Sequence, residues 1–155
     1  MSVVAVSVVH LRYAYDALLA VAFGLMLPGI AVLQSLHRPL RSSGAVLGTI
    51  AGTATVAVGL AGSVLLDLRP AALVVLGVWW WTIGKMWVET SVMPRALGMA
   101  TATLAVIAVL GAAVLVLSAD LLQPGPVAGQ AWTIVHVVIG FWLLSLAFAL
   151  ASSRG

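Results

Sequence analysis

The chain has 155 residues, 63% of them hydrophobic and only 7% charged, with a formal net charge of +3 from seven Lys and Arg against four Asp and Glu. Soluble domains carry roughly 25% charged residues, so this sequence cannot clothe a water-facing surface, and its mean hydropathy of +1.21 makes the bilayer the solvent for most of it. The basic residues form no run, which argues against a nucleic-acid partner. The absence of Cys excludes disulfides, thiol catalysis and thiolate metal ligation.

The opening segment, MSVVAVSVVHLRYAY, has no basic n-region and only a short apolar run, so a cleaved signal peptide is not expected. About 20 residues cross the hydrocarbon core. By that measure five apolar stretches predict spans at 14–36, 44–66, 71–91, 96–118 and 131–151, within one integral membrane domain over 1–155. The expected fold is all-α, a polytopic transmembrane helix bundle, because a helix satisfies every backbone group inside lipid.

The first predicted span carries Pro28-Gly29, which predicts a kink. Arg12 and Asp16 lie near its start, and losing this span would leave four helices. In the second, Gly44, Gly48 and Gly52 recur every four residues, and Gly59 lies near the same face. Small residues so spaced let another backbone approach closely, and intramolecular helix packing is the favoured reading over a homo-oligomer seam.

The third span contains GVWWWTIGKMWVET, with four of the six tryptophans and the chain's only Lys and only Glu. Gly77, Trp81, Lys85 and Glu89 fall on one stripe at i, i+4 spacing. This predicts a cation–π contact of Trp81 with Lys85 and an ion pair of Lys85 with Glu89. Lys85 lies near the helix end and snorkels to the headgroups, and Trp87 reads as part of the same interfacial exit. An anchor is therefore the favoured reading over a buried polar site. Trp79 and Trp80 lie deeper than an interfacial belt needs.

Pro94 is expected to start the fourth helix, where its missing N–H costs nothing. His136 is placed inside the last span, on a face with Trp132 and Gly140. An interhelical hydrogen bond is favoured there, because a buried metal wants three or four ligands. His10 and His37 are predicted on opposite sides of the membrane, so no metal or other cofactor is expected.

Lys and Arg accumulate on the cytoplasmic side of membrane proteins. With the N-terminus outside, the inner side receives Arg38, Arg41, Lys85, Arg95 and Arg154, and the outer side Arg12 and Arg69 with Asp16, Asp67 and Asp120. The expected topology is N-out, C-in with five crossings.

The segment VMPRALG, after a Trp-containing helix with an Ile-Gly-Lys step, resembles a bacterial domain-of-unknown-function family of small multi-spanning inner-membrane proteins. In that family a helix exits into a Leu-Pro-Arg-Trp-Leu-Gly-like loop before the next begins. Pro94, Arg95, Leu97 and Gly98 match, whereas Met93 and Ala96 replace the Leu and Trp. Family members commonly have six spans, one more than is read here. The resemblance implies the bacterial inner membrane and supplies no activity.

No Gly-x-Ser-x-Gly elbow, HExxH helix or phosphate-binding glycine loop occurs, so a catalytic role is the least supported class. The leading expectation is a non-enzymatic membrane protein, a subunit, assembly factor or regulator of a larger complex. Its partners would be membrane lipids and other transmembrane helices. The alternative is a small oligomeric transporter or channel using Lys85, Glu89 and His136. A third reading is a protein that binds a lipid or quinone against Trp79–Trp81.

Overall fold

A computed structural model describes residues 21–65, 68–118 and 126–152, apart from the side chains of 63, 64 and 126–132. Among them are five helices: α1 over Val21–His37, α2 Ser42–Val64, α3 Arg69–Thr90, α4 Arg95–Leu117 and α5 Pro126–Ser152. The last four are each long and apolar enough to cross a membrane. The stretch 14–20 of the first predicted span, with Arg12 and Asp16 before or within it, lies outside the described residues, as do Asp67, Asp120 and Arg154.

Local chemistry sets the boundaries. The α1–α2 turn is closed by the Leu40 and Arg41 amides, which donate to the His37 carbonyl, with Pro39 between them unable to donate. Pro70 sits in the first turn of α3, where no N–H is needed. At the other end of α3, Ser91 takes a left-handed conformation, φ 54°, while its amide donates to Trp87 O at 3.1 Å. A residue in this conformation turns the chain sharply at a helix C-terminus. Pro94 is the N-cap of α4, and its carbonyl accepts from the Leu97 and Gly98 amides. The apolar span of α5, Thr133–Ser152, lies close to the predicted 131–151, but the helix itself begins earlier, at Pro126. Proline is preorganised for a first helical turn, so helix formation starts there and precedes the strongly apolar run.

The helices pack antiparallel to their sequence neighbours. Gly44 lies against Met86 and Gly62 against Ala72, which sets α2 antiparallel to α3. Gly98 against Gly84 and Gly77 against Val109 do the same for α3 and α4. Helix α3 is the central element, packed most extensively against α4 and then α2. Its apolar window is 56% buried, against 17% for that of α5. Helices that cross a membrane gain no hydrophobic drive to associate there, so close packing and hydrogen bonds have to hold them. The α3–α4 crossing shows how: a Cβ on Gly84 would stand 2.8 Å from both Ala102 N and Gly98 O. Only two backbones without intervening side chains approach this closely.

Candidate functional site

Two groups of polar or aromatic side chains emerge, one at a bundle end and one in the interior. At the end, the α1–α2 turn and the C-terminus of α3 meet. Glu89 forms an ion pair with Arg41, the residue preceding α2, and a second, longer one with Lys85, Nζ to Oε1 at 3.9 Å. All three side chains are well exposed, so each contact is weakened by solvent screening. Trp81 and Lys85 line a common groove, but among the described residues no cation–π contact joins them. The ammonium is drawn instead to the carboxylate one turn onward, a full charge rather than a ring quadrupole.

The interior group explains the run of three tryptophans. Trp79 and Trp80 are each 2% exposed and Trp87 is fully buried, whereas Trp81 is 53% exposed. Helical rotation of 100° per residue cannot place three consecutive side chains on one face, and here the third leaves the core. The other three rings surround Trp142 of α5. Trp79 meets it edge-on at 5.4 Å, Trp80 tilted at 5.5 Å and Trp87 nearly parallel at 6.3 Å between centroids. Such geometries suit aromatic quadrupoles. The Trp142 indole N–H donates to Thr101 Oγ1 at 2.9 Å, and that hydroxyl donates to Leu97 O at 2.8 Å. A buried polar chain thereby ties α5 to α4. Trp87 is thus a core residue and not part of the interfacial exit, a correction of the reading from helix position alone.

His37, at the end of α1, is also fully buried. Its Nδ1–H donates to Leu33 O at 2.7 Å, while Nε2 is buried without a hydrogen-bond partner among the described residues. His136 lies half-buried on α5, about 9 Å along the helix from Trp142 toward the end opposite Glu89. It lines none of the cavities that contain Lys85. The side chain of Trp132, expected on its face, lies outside the described residues; Gly140 faces open space. No group of three or more His, Asp or Glu with metal-binding geometry occurs among the described residues.

The small residues divide among partners. Gly44 and Gly48 face α3, Gly52 faces Trp79 of α3 and Ile30 of α1, and Gly59 faces Phe23 of α1. In the α3–α4 loop, Pro94 caps α4, Arg95 is exposed, Leu97 packs on the core and Gly98 is pressed against Trp87 and Val88. Sequence reasoning missed Arg41, Thr101 and Trp142. Only Trp142, the one tryptophan deep in the last apolar stretch, carried a signal that matched the depth of Trp79 and Trp80.

Compared with protein-family models, curated proteins and solved structures, the chain matches none.

Proposed function

We propose that this is a non-enzymatic integral membrane protein of the bacterial inner membrane. It crosses five times, N-out and C-in, and acts through helix packing as a subunit, assembly factor or regulator of a larger membrane complex. The observation that carries this reading is where the polar groups are spent. Glu89 is engaged by Arg41 and Lys85 at one end of the bundle, while the interior is filled by tryptophan rings. His136 lies about 9 Å along α5 from Trp142, toward the end opposite Glu89. What the molecule offers is its outside. Helices α4 and α5 turn large apolar side chains outward, among them Leu110, Val114, Phe141, Leu144 and Phe148. Such a surface suits lipid or the helices of a neighbour. The proposed orientation is supported by the basic residues at the Arg41–Glu89 end, where Arg38 closes α1 and Arg95 opens α4.

Mild solubilisation followed by native mass spectrometry tests the proposal. A stable larger assembly is expected, weakened by Ala113→Trp or Ala147→Trp, which enlarge exposed small positions on α4 and α5 without entering the core. A monodisperse monomer that recruits nothing overturns it. Liposome flux addresses the transporter reading: wild type, Lys85→Met and Glu89→Gln should be indistinguishable from empty vesicles.

A further inference from the structure

We propose that the groove over α3, between α2 and α4, binds one anionic phospholipid. Two cavities share Leu47, Trp81 and Thr82 and so form one continuous groove. The part at the bundle end has a volume of about 310 Å³ and is walled by Arg41, Ser43 and Lys85. The other, of about 460 Å³, runs on between Gly77 and Val78 of α3 and Val106 and Val109 of α4. Its floor is α3 throughout. From Lys85 to Gly77 the groove follows eight residues of helix, about 12 Å at 1.5 Å per residue. One leaflet of hydrocarbon is about 15 Å deep, so the apolar run matches most of an acyl chain.

Charge selects the occupant. Arg41 and Lys85 share the single carboxylate of Glu89, which leaves one positive charge unbalanced at the groove's polar end. The Lys85–Glu89 pair is long at 3.9 Å and exposed, so the ammonium is held only loosely. A phosphate diester brings the missing negative charge, the donors Arg41, Lys85 and Ser43 suit its oxygens, and its acyl chain continues in the direction the groove takes. A partner helix would lay apolar side chains along the whole length and meet the two cations with nothing. Trp81, half exposed where the polar and apolar parts join, sits where an indole favours the headgroup boundary.

The inference rests on the membrane placement proposed above, and the two fail separately. Alkaline extraction of membranes tests placement: release into the soluble fraction would sink it whatever lipid is bound. The lipid site is tested on the full chain in nanodiscs of mixed phosphatidylglycerol and phosphatidylcholine, released into native mass spectrometry. Wild type should retain one phosphatidylglycerol about five-fold over phosphatidylcholine, the effect of roughly one basic charge near the surface. Lys85→Gln should abolish the preference, Lys85→Arg should keep it, and Glu89→Gln should raise it. Val106→Trp, which fills the apolar part, should lower retention of both lipids while leaving thermal stability near wild type. Equal retention of the two lipids overturns the proposal. So does a preference untouched by both Lys85→Gln and Val106→Trp, or a second copy of the chain covering the groove.

Discussion

Replacing Gly84 by alanine adds one methyl group where α3 and α4 have no room for it. The new Cβ would lie 2.8 Å from Ala102 N and from Gly98 O, whereas ordinary contact begins near 3.4 Å, so the backbones must part by about 0.6 Å. Both obstructing atoms belong to helix backbone, and no side chain can rotate aside. Overpacking of this kind costs about 1–3 kcal/mol. Alanine also gains up to about 1 kcal/mol of helix propensity over glycine, which masks part of the loss. The control is Gly48→Ala, where the new methyl meets Ile83 and Met86 side chains at an ordinary 3.5 Å. The propensity gain is common to both variants, so their difference isolates the steric term. Unfolding in mixed micelles, titrated with SDS and followed by circular dichroism, should place Gly84→Ala below Gly48→Ala by about 1–3 kcal/mol. A Gly84→Ala protein as stable as Gly48→Ala would refute the close crossing of α3 and α4.

The neighbouring tryptophans should differ sharply in the same assay. Trp80→Ala opens a cavity beside Trp142 and should cost about 3 kcal/mol, whereas Trp81→Ala, from an exposed side chain, should change stability by less than about 1 kcal/mol. Thr101→Val leaves the Trp142 N–H buried without its acceptor and should cost about 1–3 kcal/mol. Combined with Trp142→Phe it should cost less than the sum of the two changes, and strict additivity would refute the hydrogen bond. Glu89→Gln removes two exposed ion pairs and should lower stability by less than about 1 kcal/mol; a larger loss would mean that the pairs are far better shielded than their exposure indicates.

The helices themselves were legible because each apolar run is long and bounded by charge or proline. The glycine spacing of α2 was equally legible, since period alone puts Gly44, Gly48 and Gly52 together. Period could not say that this face turns from α3 at Gly44 to α1 at Gly59. The interior site was harder to read. The tryptophans of α3 needed Trp142, more than fifty residues onward, and only the folded arrangement brings the two together. Glu89 has an obvious partner four residues before it, yet Arg41 engages it more closely. Local spacing favours the near residue, whereas the antiparallel α2–α3 pair delivers the distant one.

Among its described side chains the buried residues of α5 are Trp142, Leu146 and Ala149, a single stripe at i, i+4 and i+7. Around that stripe Val135, Val138, Ile139, Leu143 and Leu150 of α5 pack on the core only in part, whereas α2 and α4 each approach α3 closely through glycines. Through Trp142, α5 supplies the ring that Trp79, Trp80 and Trp87 surround and the indole donor to Thr101. The aromatic cluster thus makes one side chain, Trp142, the main link between α5 and the tryptophans of α3.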